Sequence, residues 1–344
     1  MRRNLNPWLF LLATLLAGLL ASPLAAEELD DASSFNDAPL ESPLQHPAWF
    51  KQSFLHLGED LAEAKAAGKR GLVVYFGQRR CPYCRMLLEH NLGLADVVSY
   101  ARRHFDWVAI DIWGSEEVTD LAGVELKARD LAVRENANFT PSLIFYDTQG
   151  RQALMLRGYY RPYQFRAALE YVADGHYRQE SFAAYLERGE ATLTFEPGEL
   201  NDEPFFASPP HNLDRSRLPG ERPLAVFFER GDCHACDVLH AQPLRDPQLQ
   251  QMFRQLDVLQ LDMASGQAVI TPSGQRTNAR DWARSLGLFY SPSLLFFDEQ
   301  GREIIRVDSV AHFFRLRSVL DYVLSQGYRE EPNFMRWRMR RELD

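Results

Sequence analysis

Cys81-Pro82-Tyr83-Cys84 and, later in the chain, Thr140-Pro141 are the stretches of sequence that decide the fold. The same cassette occurs again as Cys233-His234-Ala235-Cys236 and Ser291-Pro292. The first proline lies 60 residues after its leading cysteine, and the second lies 59 residues after its own. These four cysteines are the only ones among the 344 residues. The pattern predicts two redox-active cysteine pairs in two copies of one domain.

The segments around the two pairs also repeat in the same order. Apolar and periodic patterns predict, in the first copy, helices over 49–67, 86–100, 127–135 and 161–173 and strands over 71–76, 105–111, 142–146 and 153–157. The second copy has corresponding stretches over 224–228, 256–261, 279–286, 293–297, 304–307 and 314–325, without a counterpart of the first helix. A repeat of this size is too long for a solenoid unit. We therefore predict tandem, complete α/β domains.

This repeat sets the predicted division of the chain. The segments are a signal peptide over 1–26, a flexible lead-in over 27–46, a first domain over 47–191, a linker over 192–223, a second domain over 224–330 and a C-terminal tail over 331–344. The lead-in and the linker are assigned because both are rich in polar, acidic and proline residues. The arginine-rich tail is predicted to be a solvated helix end.

The amino terminus has the features of an export signal. Arg2 and Arg3 precede a short apolar run over 8–21, and small residues follow at Ala25 and Ala26. This order is typical of a cleavable secretory signal, and the run is shorter than the roughly 20 residues that span a bilayer. We predict a periplasmic protein without stable membrane insertion after cleavage; the alternative is an N-terminal anchor. The formal charge of −9 argues against binding to nucleic acid.

Each leading cysteine lies where a predicted strand gives way to a predicted helix. The first turn of a helix has unpaired N–H groups and a positive dipole, and both favour a thiolate, which is the species that attacks a disulfide. Two intervening residues place the second sulfur one helical turn away, where it can resolve a mixed disulfide. We predict that Cys81 and Cys233 are nucleophiles and that Cys84 and Cys236 are resolving thiols. Both pairs are expected at a helix tip and accessible to solvent.

Charged neighbours are expected to modulate the pKa of the two nucleophiles. Arg79 and Arg80 favour the anion of the first, whereas His234 favours and Asp232 opposes the anion of the second. These contributions do not show which of the two centres is the more oxidising. Two different centres in one chain nevertheless suggest a relay, since a tether raises the effective concentration of one centre at the other to roughly the millimolar range.

The two proline dipeptides are candidate substrate-binding sites. Thr140 and Pro141 precede one predicted strand, and Ser291 and Pro292 precede another. A cis proline at such a position would present a bare strand edge beside the sulfur, and an extended substrate could pair with that edge.

Other kinds of cysteine site remain as alternatives. A structural disulfide between adjacent turns of one helix would constrain little of the fold. A four-cysteine zinc site usually spaces its pairs by about 15–20 residues, whereas these pairs are 149 residues apart. His240 lies four residues after Cys236, so Cys233, Cys236 and His240 could hold copper or zinc, although a plain surface histidine is the more common case. We predict no cofactor and no metal at the catalytic centres.

The order of strand, cysteine pair, helix and proline before a strand resembles the thioredoxin superfamily, and more closely the SoxW-like periplasmic thioredoxins. The resemblance is carried by 74–76 before the first pair, by Thr140-Pro141-Ser142 with Phe145, and by Gly158-Tyr159-Tyr160. It implies thioredoxin folds with a central mixed sheet flanked by helices. It also implies a cis peptide before each of the two prolines and dithiol exchange at the two cysteine pairs.

Two departures from the family pattern concern the chemistry of the site. The buried acidic residue that assists the resolving thiol in thioredoxin has no match over 72–76 or 224–228. In the second copy, Asp308-Ser309-Val310 replaces Gly158-Tyr159-Tyr160, which predicts a different substrate surface.

These observations predict an exported thiol–disulfide oxidoreductase, and the family likeness favours a reductase or isomerase. Its partners would be protein disulfides and an upstream thiol electron donor, which could be a membrane thiol–disulfide transporter. The alternative is one catalytic domain joined to a docking or metal-binding domain that acts as an interaction module.

Overall fold

A computed structural model of the protein describes residues 35–190, the N-terminal half, and residues 199–343, the C-terminal half. The predicted signal peptide over 1–26 lies outside the described residues, as do 27–34, 191–198 and residue 344. Across the described ranges, the structure contains no helix with the length and apolar character needed to cross a bilayer.

The N-terminal half is built on a four-stranded mixed sheet. Its strands are β1 (Gly71–Gly77), β2 (Phe105–Asp111), β3 (Glu117–Thr119), β4 (Glu125–Lys127), β5 (Ser142–Asp147) and β6 (Gln152–Arg157). Its helices are α1 (Leu57–Ala66), α2 (Pro82–Arg85), α3 (Ala95–His104), α4 (Ala128–Arg134), α5 (Pro162–Ala173) and α6 (Phe182–Glu190). The sheet order is β2-β1-β5-β6, with β1 parallel to β2 and antiparallel to β5, while β3 and β4 form a separate hairpin.

The C-terminal half repeats this architecture. Its strands are β7 (His211–Asn212), β8 (Leu224–Glu229), β9 (Asp257–Asp262), β10 (Ala268–Ile270), β11 (Arg276–Asn278), β12 (Ser293–Phe297) and β13 (Glu303–Val307). Its helices are α7 (His234–Ala241), α8 (Pro247–Phe253), α9 (Ala279–Ser285), α10 (Phe313–Leu324), α11 (Gly327–Glu330) and α12 (Phe334–Leu343). The main sheet runs β13-β12-β8-β9, the same order as in the first half. The predicted α/β class and the mixed sheet flanked by helices are confirmed in both halves.

The central strands β1 and β8 are buried along their whole length, which explains their continuous apolar sequences. Alternate side chains of β1 enter different cores: Tyr75 packs in one cluster with Trp107, and Phe76 packs in another with Ile110. A strand that is packed on both faces cannot shift, so the position where it ends is fixed. Each cysteine pair, which follows its central strand directly, is therefore held at a fixed place at the edge of the sheet.

The predicted helix over 49–67 is shorter than expected. The structure has α1 only from Leu57, because a turn over 47–50 and the non-helical residues after it pack on β2 instead. Trp49 and Phe50 pack against Trp107, with ring centroids 5.7 and 5.5 Å away, and the Lys51 N–H donates to the Trp107 carbonyl. Packing of these two aromatic rings outweighs the helical pattern of this stretch.

The predicted flexible lead-in is anchored over its described part. The backbone N–H groups of Leu40 and Leu44 donate to the carbonyls of Arg80 and Arg79, and the Phe35 ring lies 4.9 Å from the Tyr83 ring. This segment therefore lies against the first cysteine pair, and "flexible" is wrong for residues 35–46.

The predicted linker and tail also belong to the folded structure. Within the described part of 192–223, strand β7 pairs with β10, and Phe205 stacks on Phe253 with 5.2 Å between centroids. In the predicted tail, Met335 and Phe334 of α12 are buried, while Arg340 and Arg341 lie toward solvent. Aromatic and methionine side chains among the charged residues provide the apolar surface that docks both segments.

Candidate functional site

The first cysteine pair lies at the start of a helix. Cys81 is the N-cap residue of α2, and its Sγ accepts a 2.9 Å hydrogen bond from the Cys84 backbone N–H. Pro82 occupies the first helical turn, where a proline costs no hydrogen bond. Cys81 and Cys84 form a disulfide. Once reduced, the Cys81 sulfur would face a helix N-terminus, which stabilises an anion.

The second pair has the same local geometry. Cys233 is the N-cap residue of α7, and the Cys236 N–H donates to its Sγ over 3.0 Å. Cys233 and Cys236 also form a disulfide. The expected helix tips are thus present at both centres.

The two proline dipeptides lie beside the sulfurs, and the peptide bonds Thr140-Pro141 and Ser291-Pro292 are cis. The Thr140 hydroxyl lies 3.2 Å from the Cys81 Sγ, whereas the Ser291 hydroxyl lies 3.2 Å from the Cys236 Sγ. The carbonyl oxygens of Thr140 and Ser291 lie 3.6 and 3.4 Å from the leading sulfurs of their centres. The structure therefore places each cysteine pair beside its own proline dipeptide, the one that sequence analysis assigned to substrate binding.

The two centres differ in exposure. Cys81 is 1% exposed and Cys84 is fully buried, whereas Cys233 is partly exposed above a buried Cys236. The expectation that both nucleophiles are accessible is therefore wrong for the first centre in this conformation. Local sequence cannot show this difference, because the cover comes from residues that are distant in the chain.

Two side chains from distant parts of the chain, Asp37 and Arg315, meet at Tyr83, which lies between the two cysteines of the first pair. Arg315 of α10 lies over the Tyr83 ring, 3.5 Å from its centroid, and donates a 3.0 Å hydrogen bond to the Thr140 carbonyl. The Tyr83 hydroxyl donates to the Asp37 carboxylate at 2.8 Å and accepts from the His312 N–H at 2.9 Å. The first centre is thus covered by both the lead-in and the C-terminal half.

Asp37 also caps α10, because its carboxylate accepts 3.0 Å hydrogen bonds from the N–H groups of Phe314 and Arg315. Replacing Asp37 with alanine is expected to lower the free energy of unfolding by about 2 kcal/mol, since a helix cap and the acceptor of a buried phenol are both lost. Urea denaturation measures this change. Glu41→Ala, in the same segment but exposed, is the matched control. An equal effect of the two substitutions would contradict the capping role.

The charged residues predicted to modulate the cysteines have other partners. Arg79 and Arg80 are exposed, and the Arg80 guanidinium donates to the Glu41 carbonyl at 2.6 Å. Asp232 forms a two-hydrogen-bond pair with Arg230, and this pairing lowers the pKa of the Asp232 carboxyl. His234 is exposed on the first turn of α7. All four residues lie at solvent-exposed positions, and their influence on the pKa of the sulfurs stays a prediction.

A buried polar cluster beside the second centre was missed by sequence analysis. The two ring nitrogens of His240 lie 3.0 Å from Glu203 and 3.1 Å from Glu229, and the Gln260 amide donates to Glu229 at 2.6 Å. Glu229 directly follows the stretch 224–228, in which no acid was found. It is fully buried, and its position at the end of a continuous apolar strand was the available signal.

The cluster corrects two interpretations of His240. The imidazole is 4% exposed, so it is not a surface histidine. Burial by itself would lower the pKa of His240, but the hydrogen bonds to Glu229 and Glu203 outweigh it and raise the pKa. Both nitrogens face carboxylates, and the described residues contain no group of three or more histidine, cysteine or acidic side chains arranged to hold a metal ion. The copper or zinc site with Cys233 and Cys236 is therefore not formed.

A family model described as a thioredoxin-like domain matches the chain twice, over residues 57–173 and 209–324. This chain belongs to the thioredoxin-like family. The second match begins inside the segment that sequence analysis assigned as a linker, in agreement with the packing of that segment. No curated protein sequence matches the chain significantly.

Several solved structures are similar to part of the chain. A thioredoxin-fold protein from Helicobacter pylori is 22% identical, covers 42% of this chain and 94% of its own, and has a TM-score of 0.35. A thioredoxin from Thermus thermophilus is 21% identical, with 40% and 89% covered and a TM-score of 0.27. A disulphide isomerase from Xylella fastidiosa Temecula1 is 18% identical, with 42% and 99% covered and a TM-score of 0.24.

Thioredoxin-like membership and the two helix-tip disulfides together define the chemistry. Each centre holds a sulfur that a backbone N–H stabilises and a second sulfur already bonded to it. The chain is a thioredoxin-like thiol–disulfide oxidoreductase with two cysteine pairs.

Proposed function

We propose that this protein is an exported, periplasmic reductase or isomerase of protein disulfides that uses both cysteine pairs. The observation that supports this proposal most directly is the N–H donated to each leading sulfur, from Cys84 to Cys81 and from Cys236 to Cys233. A sulfur held in this way is poised as a thiolate nucleophile after reduction. The pattern of a basic start, a short apolar run and small residues over 2–26 supports export.

The reaction is written here for the second centre, whose leading sulfur is partly exposed. The Cys233 thiolate attacks one sulfur of a substrate disulfide, forms a mixed disulfide and releases the other substrate sulfur as a thiolate, which takes up a proton. The Cys236 thiol loses its proton and attacks the Cys233 sulfur. This step restores the Cys233–Cys236 disulfide and releases the second substrate thiol. Two electrons have then passed to the substrate, and an upstream dithiol must supply two electrons for the next cycle.

The two centres support a relay within this scheme. Because Cys233 is partly exposed and Cys81 is buried, the two centres differ in their access to partner proteins in this structure. An upstream thiol donor, of the kind a membrane thiol–disulfide transporter provides, would reduce one centre, and the other would receive electrons by intramolecular exchange. Unequal reduction potentials with exchange between the centres are expected; equal potentials without exchange would argue against the relay.

Resolving-cysteine variants test the enzymatic function. Cys84→Ala and Cys236→Ala are expected to accumulate mixed disulfides on Cys81 and Cys233, because the sulfur that releases the substrate is missing. The bound substrates are separated on non-reducing gels and identified by mass spectrometry after reduction.

The matched control for each trap lacks both cysteines of its pair, so any protein it retains is bound without a disulfide. If neither trap holds a partner above this control, and the purified native chain reduces no model protein disulfide, the proposed activity is wrong. Recovery of the mature chain from the periplasm with a new amino terminus near residue 27 tests export separately. A chain found only in the cytoplasm would contradict it.

A further inference from the structure

A segment of the C-terminal half lies on the surface that surrounds the first centre. This covering segment, residues 308–315, consists of the loop after β13 and the first turn of α10. The Val310 N–H donates to the Tyr159 carbonyl over 3.2 Å, and the Arg315 guanidinium donates to the Thr140 carbonyl over 3.0 Å. Thr140 contacts the Cys81 sulfur, and Tyr159 follows Gly158, whose N–H donates to the Pro141 carbonyl. The covering segment therefore contacts both the residue before the cis proline and the loop next to it.

These contacts use groups that an extended substrate would need. The Thr140 carbonyl lies 3.6 Å from the Cys81 Sγ, and it belongs to the residue before the cis proline. A peptide that pairs with this strand edge would donate its own N–H groups to such carbonyls. While Arg315 is in place, its guanidinium occupies that acceptor.

Several hydrogen bonds hold the Arg315 guanidinium in place between the two halves of the chain. A buried guanidinium is costly unless hydrogen bonds compensate it. Arg315 is 8% exposed, and besides the Thr140 carbonyl it donates to the Val310 carbonyl at 2.8 Å and to the Ser309 hydroxyl at 3.2 Å. Burial lowers its pKa, yet a guanidinium stays protonated at neutral pH. The Tyr83 ring face adds a cation–π contact.

Among the residues that the structure describes, none covers the second centre in the same way. The matching loop of the N-terminal half meets the C-terminal half through Tyr160, whose ring lies 5.6 Å from the rings of both Phe289 and Tyr290. These contacts leave Cys233 partly exposed. The loop after β13 covers the first centre, whereas the matching loop after β6 leaves the second centre partly exposed. The two loops carry different residues, Asp308-Ser309-Val310 in one and Gly158-Tyr159-Tyr160 in the other.

We propose that the covering segment is an intramolecular competitor for the peptide-binding surface of the first centre, so that an external protein disulfide reaches Cys81 only after this segment moves away. The inference rests on the proposed thiol–disulfide exchange activity and adds a regulation of it. Because the binding-competent state is only part of the population, the apparent reactivity of the first centre is its intrinsic reactivity multiplied by that fraction. External partners then react first at Cys233.

The test follows each pair separately in the full-length chain. Oxidised protein is treated with dithiothreitol, which becomes its cyclic disulfide as it reduces a cysteine pair, and new thiols are alkylated at set times and assigned by peptide mass. In the native chain, Cys81–Cys84 is expected to be reduced at least about tenfold more slowly than Cys233–Cys236. Arg315→Gln is expected to remove most of this difference by accelerating the first pair alone.

Arg317→Gln is the matched control, since Arg317 lies on the same helix with its guanidinium 5.4 Å from the Phe314 ring. It should leave both rates unchanged. If Arg315→Gln fails to fold, Asp37→Asn weakens the same cover, because Asp37 accepts the Arg315 N–H. Equal native rates for the two pairs, or an equal acceleration of both pairs in the variant, would overturn the inference.

A second readout separates this inference from the proposed function. In chains that lack Cys233 and Cys236, reduction of a protein disulfide by Cys81 is compared with and without Arg315→Gln. A faster reaction in the variant supports the cover. Equal, measurable rates would be consistent with the proposed enzymatic function and would reject the proposed role of the covering segment. If the variant accepts electrons from dithiothreitol quickly and still reduces no protein disulfide, the proposed function of the first centre fails while the cover stands.

Discussion

Replacing both Cys81 and Cys233 with serine is expected to lower protein disulfide reduction to the uncatalysed rate, a loss of about 1,000-fold or more. A serine hydroxyl stays protonated at neutral pH and cannot replace the thiolate that attacks the substrate. Both serines would still accept the N–H bonds at the helix tips, so the fold should be retained. The measurement is the steady-state reduction of a model protein disulfide with excess dithiol donor.

The two single substitutions then show how the centres are connected. If the centres act in series, Cys81→Ser and Cys233→Ser each lose nearly all activity, because electrons must pass through both. If they act in parallel, each single variant keeps the share of the other centre, and Cys233→Ser loses the larger share since its sulfur is the exposed one. Full activity in the double variant would reject catalysis by these cysteines. His56→Ala, at an exposed position, controls for purification and folding.

Replacing His240 with alanine is expected to destabilise the C-terminal half by about 3–5 kcal/mol, because it breaks a buried charge pair and leaves its partners uncompensated. Glu229 is fully buried and Glu203 is 6% exposed, and both face the imidazole. After the substitution, Gln260 would still donate to Glu229. The free energy of unfolding by urea measures the loss, and His56→Ala should change it little. A loss below about 1 kcal/mol would contradict a charged buried pair.

The pH dependence of this loss has a definite sign. The pKa of His240 is raised in the folded state, so the folded protein holds the imidazole proton more tightly than the unfolded chain does. The stabilisation is fully present below the unfolded pKa of about 6.5 and is lost as pH rises through the higher folded pKa. The difference in unfolding free energy between the native chain and His240→Ala should therefore shrink with rising pH. A difference that grows with pH would show the opposite protonation.

The amino-acid sequence by itself determined the local chemistry. A continuous apolar strand followed by a cysteine pair and a helical stretch can place the first sulfur only at a helix N-terminus, and both Cys81 and Cys233 lie there. Repetition of these patterns predicted two α/β domains and the strands that form their sheets. These features depend on neighbours within a few residues or on the periodicity of one element, and such relations can be read along the chain.

Only the tertiary structure decided which centre is open. Arg315 lies 234 residues after Cys81, and Asp37 precedes it by 44, yet both lie at its cover. Segments that read as lead-in, linker and tail were docked by a few side chains, among them Phe35, Phe205 and Met335. The burial of His240 between two carboxylates likewise brings together three segments. Burial is a property of the whole packed molecule, because it depends on which distant surfaces exclude water from a group, and local sequence carries no record of that.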